Sequence, residues 1–496
     1  MSHPNFLAVD LGAESGRVIL GALKENRLEL QEVHRFENRP VRVGSSLYWD
    51  VLRLWSDIQH GLASAYQQAG ESLVSLGVDT WGVDFALLGA HDELLGNPYH
   101  YRDRRTDGML EQAFGKVSRD EIYRQTGIQF MQINTLYQLL SMVIAGSPLL
   151  EAGRTFLNMP DLFNFWLSGV KTSEFTIAST TQCYNPLERD WARSMLDRLG
   201  IPSQIFGQVV PPGTALGELR PTLAAELNCG PVRVIATAGH DTACAVAAVP
   251  ANSPAYIYLS SGTWSLMGVE SRQPVISDES LAFNLTNEGG VNDTFRVLKN
   301  IMGMWLLQEC RREWAHHGQG FSYAELTQMA TQAPALQSFV RPSDARFLHP
   351  SDAQSGAMVI RIQAFCQETG QPIPRSHGEV TRCILESLAL EYRRTVEQLS
   401  QVWDVELPII HIIGGGSRNQ LLNQMTADAT GRIVVAGPVE ATAMGNILVQ
   451  AIATGYLASL EEARNLVRNS GEITTWQPSG DSAWDDAYVR YQEWIG

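Results

Sequence analysis

Two stretches of this chain share one shape, and the pair restricts the fold more than any other feature. "NFLAVDLGAESGRVILGAL", from Asn5, is an apolar run, a turn of small and polar residues, and a second apolar run. "AYIYLSSGTWSLMGVES", from Ala255, follows the same plan with different residues. Each predicts a β-hairpin whose turn is rich in Gly, Ser and Thr, and each could open a domain of the same design. Before the second stands "PANSPA", Pro250 to Ala255, a proline-bearing connection of the kind that separates domains. At 496 residues the chain is too long for one core. The expected division is therefore 1–249 and 250–496.

Within each half, strand patterns alternate with helical ones. "SLVSLGVDTWGVDFALL" reads as a strand, a polar joint and a strand, and "RNQLLNQMTADATG" as a helix closed by Gly431. "EVTRCILESLALEYRRTVEQLSQV" predicts the clearest helix, with Ile384, Leu388, Tyr392, Val396 and Leu399 at three- and four-residue intervals. This alternation predicts an α/β protein with a cleft between two lobes.

Composition removes several classes. A formal charge of −16 argues against a protein that neutralises nucleic-acid phosphates. The N-terminal "MSHPNFLAVDLG" runs almost directly into a strand without a signal-peptide pattern, and apolar runs fall far short of the ~20 residues of a membrane helix. Neither nucleic acid nor membrane is therefore an expected partner. Six cysteines without a C-x-x-C pair predict reduced thiols and a cytoplasmic protein. Cys366 and Cys383 flank a loop with Gly370, Pro372 and Pro374, where a bridge is conceivable but two free thiols are expected.

Four segments carry candidate chemistry. In "VDLGAESGR" a strand delivers Asp10 into a turn with Gly12, Ser15 and Gly16; bare turn amides can converge on phosphate oxygens, and Asp10 could hold the water shell of Mg²⁺. An ordinary hairpin turn is the plain alternative. "SSGTW" offers a second such turn through Ser260, Ser261, Gly262 and Thr263, and two facing turns would grip a triphosphate. "HIIGGGSRNQ" runs a strand into Gly414, Gly415 and Gly416, a flat surface for a ring or ribose, though Asn419 stands where a dinucleotide fingerprint has its third glycine. No G-x-x-x-x-G-K-[ST], H-E-x-x-H or G-x-S-x-G occurs. Finally, "VIATAGHDTACAVAAVP" places Asp241 beside His240 at a strand–helix joint. Asp241 there is either an N-cap worth about 1 kcal/mol or a catalytic base, and one carboxylate can be both. The helix N-terminus would favour its ionised form and make it a weak base.

These pieces resemble the FGGY carbohydrate kinases, of the actin and heat-shock ATPase superfamily, over nearly the whole chain. "DTWGVDFALL" at 79–88, "YRDRRT" at 101–106, "GHDTA" at 239–243, "SSGTWSLMG" at 260–268 and "NIMGMWLLQE" at 300–309 carry the likeness, and fit best the subfamily acting on L-rhamnulose. The resemblance implies two ribonuclease H-like lobes around an active-site cleft, a sugar and phosphate side in the first half and a nucleotide side in the second. It implies ATP contacts from Ala13, Glu14, Ser15, Gly16, Arg17, Thr263, Gln308 and Gly415. Sugar contacts would come from Gly82, His240, Asp241, Thr242 and Asn300, with Asp241 as proton acceptor and Asp10 near a magnesium ion, through water. Glu14 departs from the small or hydroxyl residue more common there, and the string F-G-G-Y is absent. The implied reaction moves the γ-phosphoryl group of ATP to the 1-hydroxyl of L-rhamnulose. Another ketose or polyol, such as fuculose or xylulose, a non-catalytic ATP- or sugar-binding protein, and a dehydrogenase built on "GGGSRN" stand as alternatives.

Overall fold

The computed structural model describes residues 3–351, 356–403 and 405–495. The chain forms two compact units: Met1–Asn252, Glu270–Leu298 and Glu440–Gly471 in the first, and Ser253–Val269, Lys299–Val439 and Glu472–Gly496 in the second. The first break thus falls inside "PANSPA", and the chain then returns twice to the first unit.

The first unit opens with β1 (Asn5–Leu11), β2 (Ser15–Lys24) and β3 (Arg27–Glu37), followed by helix α1 (Val51–Ala69) and β4 (Leu73–Thr80). After a helical excursion containing α2 (Met159–Ser168) and the short α3 (Phe175–Ala178) come β5 (Thr214–Glu218), β6 (Arg233–Ala236) and α4 (Asp241–Ala247). The strand order is β5-β6-β4-β1-β2-β3. β1 pairs antiparallel with β2 and parallel with β4, and β6 is parallel to β4. Near-continuous apolar runs suit the two-sided burial of such central strands, and Phe6, Leu7, Ala8 and Val9 are all fully buried.

The second unit starts with β7 (Ile257–Ser261) and β8 (Trp264–Ser271), whose last two residues lie in the first unit. The returning segment Glu270–Leu298 adds to the first unit β9 (Thr286–Gly289), paired antiparallel with the first half of β10 (Phe295–Met302). The rest of the second unit includes α5 (Trp305–His316), α6 (His377–Val402), β11 (Ile409–Ile413), α7 (Gln420–Thr430) and β12 (Ile433–Ala436); β13 (Thr474–Trp476) follows later in the chain. Its strands lie in the order β10-β8-β7-β11-β12-β13, with β7 antiparallel to β8 and parallel to β11, and β11 parallel to β12. A hairpin flanked by two parallel strands thus recurs in both units, as the paired sequence stretches predict. Ile384, Leu388, Tyr392, Val396 and Leu399 of α6 are all buried, and Gly431 closes α7 in the left-handed conformation.

Helix α8 (Ala441–Ala453) packs in the first unit although it lies near the C-terminus. Its inward face carries two amides. Asn446 Nδ2 donates to Gly77 O at 3.2 Å, and Gln450 Nε2 to Leu7 O at 3.0 Å, so α8 is pinned to the backbones of β1 and β4. That packing, rather than chain order, sets the composition of the unit.

Among the described residues no helix is long and apolar enough to cross a membrane. All six cysteines are free, Cys366 and Cys383 included.

Candidate active site

Asp10 and Asp79 occupy paired register positions near the ends of the parallel strands β1 and β4. Asp10 is buried, and its Oδ2 accepts from Arg17 Nη2 at 2.5 Å; Arg17 also pairs with Glu440, just ahead of α8. Burial pushes the Asp10 carboxyl above the usual carboxylate range, while Arg17 pulls it back. Burial alone would lower the Arg17 guanidinium, but Asp10 and Glu440 outweigh it and raise it. Asp79 is fully buried; Asn446 Nδ2 donates to its Oδ2 at 2.6 Å, and its Oδ1 has no hydrogen-bond partner among the described residues. Burial, with the charges of Asp10 and Asp241 added, drives it well above the usual range. A third carboxylate therefore acts on the first two.

Asp241 stands at the head of α4, but it is not the N-cap the sequence suggests. His240 holds the cap position with extended backbone, and its carbonyl accepts from Ala243 N and Cys244 N at 2.8 and 3.1 Å. Asp241 is the first helical residue, and its Oδ1 accepts from Thr242 N and Oγ1 at 2.5 and 3.0 Å, from the next residue rather than two or three ahead as a cap would. Thr242, buried, thus holds the carboxylate in place. Burial raises the Asp241 carboxyl, with His240 and the Thr242 bonds lowering it in part. Burial therefore outweighs the helix terminus, and Asp241 is a better base than its position alone predicts.

The loop before Asp241 is clamped from below. Glu174, fully buried at the start of α3, accepts with one oxygen, Oε2, from Thr176 N, Thr176 Oγ1, Ile177 N and Gly239 N at 2.9, 2.6, 3.2 and 2.8 Å. His240 N donates to Thr176 Oγ1 at 3.1 Å, and Thr80 N to Gly239 O at 2.9 Å. These bonds bring the end of β4 against the Gly239–Asp241 joint.

Gly82 follows β4 directly. A Cβ there would lie 3.3 Å from Thr180 Oγ1 and 3.4 Å from His240 Nε2, so glycine keeps the space before the imidazole clear. The next residue, Val83, has φ of +68°, a conformation that strains a β-branched side chain. Its carbonyl accepts from Thr135 Oγ1 at 2.6 Å and Gln138 Nε2 at 3.2 Å, and its N–H donates to Thr180 Oγ1 at 3.3 Å. Asp84 anchors the same turn by accepting from Trp49 Nε1, Trp81 Nε1, Tyr101 N and Gln138 Nε2 at 2.5 to 3.2 Å, and burial pushes its carboxyl up to about 6.

The first hairpin turn is only partly open. Ala13, Glu14 and Ser15 are half-buried, and Asn38 fixes the turn by donating from Nδ2 to Gly12 O at 2.8 Å and from N to Glu14 O at 3.0 Å. Gly16 is glycine for packing: a Cβ there would lie 2.2 Å from the Phe36 ring. The side chain of Arg17 is committed to Asp10 and Glu440.

The second unit gathers three of its four predicted positions. The carbonyls of Gly262 and Thr263, in the β7–β8 turn, accept from Met304 N and from Gly303 N and Trp305 N, seating the turn on the start of α5. One turn along α5, the buried Oε1 of Gln308 has no partner among the described residues. Gly416 packs against the same turn, where a Cβ would fall 2.0 Å from Ser261 Oγ and 2.7 Å from Ser261 O. That contact leaves Gly415 exposed, with open space where its Cβ would be. Asn300 is half-buried on β10. Among the described residues no three His, Cys, Asp or Glu side chains form a metal cage.

Asp79, Glu174, Glu288, Arg296 and Glu440 escaped the sequence reading. Asp79 left a signal, because "AVD" and "GVD" end two apolar runs alike. The others left none, since only folding brings Glu174, Glu288 and Arg296 to the joint and Glu440 to Arg17.

Comparison with known proteins matches both halves. The N-terminal domain of the FGGY family of carbohydrate kinases matches residues 5–248, and its C-terminal domain residues 257–454. A Bacteroides thetaiotaomicron protein named rhamnulokinase is 45% identical over 491 residues, with 99% of each chain covered. One of the same name from Oceanobacillus iheyensis is 42% identical, covering 95% of this chain and 97% of the relative. Among solved structures, the gluconate kinase of Lactobacillus acidophilus superposes with a TM-score of 0.81 at 15% identity, covering 99% and 97% of the two chains. The Plasmodium falciparum glycerol kinase with ADP gives 0.76 at 14%, covering 100% and 98%. These distant structures share the fold; the two domain matches and the near full-length relatives place the chain in the FGGY family of carbohydrate kinases.

Proposed function

We propose that this kinase transfers the γ-phosphoryl group of ATP to the 1-hydroxyl of L-rhamnulose, in the cytoplasm, where six free cysteines are at home. The observation that carries the chemistry is Asp241: a half-buried carboxylate, raised by its surroundings, locked by Thr242 and 3.4 Å from the Nε2 of His240, the same nitrogen that borders Gly82. The choice of sugar rests on the relatives named rhamnulokinase at 42 to 45% identity. Residues 1–249 would carry the sugar and phosphate side and 250–496 the nucleotide side. On the first, Gly82, His240, Asp241 and Thr242 would hold the ketose, joined by Asn300, while the turn Ala13–Arg17 lines the phosphates. On the second, Thr263, Gln308 and Gly415 would take the nucleotide, and the unpartnered oxygen of Gln308 supports that role.

Phosphoryl transfer passes through a loose transition state, so most of the rate comes from positioning and charge. Asp241 orients the attacking hydroxyl and takes its proton late, as the bond to phosphorus forms. A magnesium ion held through water would offset phosphate charge. Asp10 and the orphaned Oδ1 of Asp79 fit such an ion, which keeps most of its own waters. Arg17 holds Asp10 in place for that duty.

An ADP-release assay with ATP and L-rhamnulose, L-fuculose and D-xylulose tests the reading. L-rhamnulose should give the highest kcat/KM. Asp241→Asn should keep sugar binding and folding but lose about 10²- to 10⁴-fold in kcat. Turnover at the wild-type level in that variant would sink the assignment of Asp241, and a higher kcat/KM on another ketose would sink the sugar.

A further inference from the structure

His240 is gripped on the side away from Asp241 by two residues of the returning segment. Its Nδ1 lies 3.0 Å from Arg296 Nη2 and 3.3 Å from Glu288 Oε2. Arg296, fully buried on β10, is fixed in turn: Nε donates to Gly289 O at 2.8 Å, and Nη2 stands 3.2 Å from Glu288 Oε2. Gly289 N donates to Ser179 Oγ at 2.6 Å, which ties β9 to the loop after α3. On the other side of the ring, Nε2 is 3.4 Å from Asp241 Oδ1 and borders the space before Gly82.

A guanidinium can only donate. Facing Arg296, Nδ1 must present its lone pair, and the ring proton of neutral His240 then sits on Nε2. We propose that Arg296, held by Glu288, is a positioning residue that fixes His240 as the Nε2–H tautomer, so that the imidazole donates to a sugar hydroxyl and leaves Asp241 as the only proton acceptor. The proposal rests on the sugar-kinase reading for its consequence, though not for its geometry. With the proton on Nδ1, the ring would pair with Glu288 instead. Its Nε2 lone pair would then face the Asp241 carboxylate and compete with it for the hydroxyl proton. Glu288 neutralises a guanidinium that would otherwise be buried as a lone charge, and it is the acceptor that would capture the wrong tautomer if Arg296 were lost.

The tautomer can be read without substrate. In protein carrying ¹⁵N-labelled histidine, a long-range ¹H–¹⁵N spectrum at a pH where the ring is neutral reports which nitrogen bears the proton, with His240 assigned by its absence in His240→Gln. Wild type should show Nε2–H. Arg296→Met should move the proton to Nδ1 and lower kcat by roughly tenfold to a hundredfold, the scale of a misplaced catalytic group. Arg296→Lys, which still donates, should restore the Nε2–H signal and most of the kcat. A proton on Nδ1 in the wild-type protein overturns the proposal outright, so it stays exposed even if Arg296→Met fails to fold. An unchanged tautomer in a folded Arg296→Met also overturns it. Because the spectrum needs neither ATP nor sugar, failure of L-rhamnulose as substrate would leave this result standing, and an active enzyme with an Nδ1 proton would refute this inference alone.

Discussion

Replacing Glu174 by Gln should change how stability depends on pH. All four donors to Glu174 use one oxygen, Oε2, while the buried Oε1 has no hydrogen-bond partner among the described residues. A Gln can offer its carbonyl to those donors and put its amide where Oε1 stood, so it mimics the protonated acid. Burial pushes the Glu174 carboxyl up to about 7, against the bonds from Thr176, Gly239 and Ile177. The folded value therefore lies above the unfolded one, near 4.5. Between them the folded state holds a proton that the unfolded chain has released, so unfolding free energy falls as pH rises. The contribution is fully present below about pH 4.5 and is lost as pH climbs through about 7. At 1.36 kcal/mol per unit this amounts to about 3 kcal/mol. Glu174→Gln has no proton to lose. Urea denaturation of both proteins from pH 4 to pH 8 should show the variant gaining about 3 kcal/mol relative to wild type, with Asp84 titrating alike in both. Parallel stability curves, or a variant that falls behind as pH rises, would refute the reasoning.

Gly416→Ala should overpack the second unit, because its Cβ would meet Ser261 Oγ at 2.0 Å and Ser261 O at 2.7 Å. A cost of about 1–3 kcal/mol and weaker ATP binding by calorimetry are expected, with no change in sugar affinity. Val83→Gly should relieve about 1–2 kcal/mol of left-handed strain, and a lower melting temperature would show that the valine side chain contributes more than its strain costs. Glu14→Ser should leave ATP affinity unchanged or tightened; a clear weakening would show that Glu14 helps to hold the nucleotide.

The joint at Asp241 shows how far a sequence can be followed. "VIATAGHDTACAVAAVP" marks a strand, a turn and a helix because apolar runs and a terminal proline are local signals. Which residue caps the helix is settled by a one-residue difference in backbone geometry, and here His240 takes that place. The direction of the Asp241 shift was out of reach for another reason. A helix terminus can be read from the chain, but desolvation depends on everything packed around the group, and burial dominates. Asp10 and Asp79 lie 69 positions apart, and only the parallel register of β1 and β4 sets them side by side.

By itself, the sequence determined the twin hairpins, the long helix with its buried face, the strand–helix joint and the family motifs, all properties of short contiguous stretches. Tertiary structure alone decided that α8 completes the first unit and that Glu174 clamps the loop before Asp241. It also decided that Arg296 and Glu288 stand behind His240. Hydrogen bonds and desolvation act over a few ångströms in space whatever the distance along the chain, and only folding creates those distances.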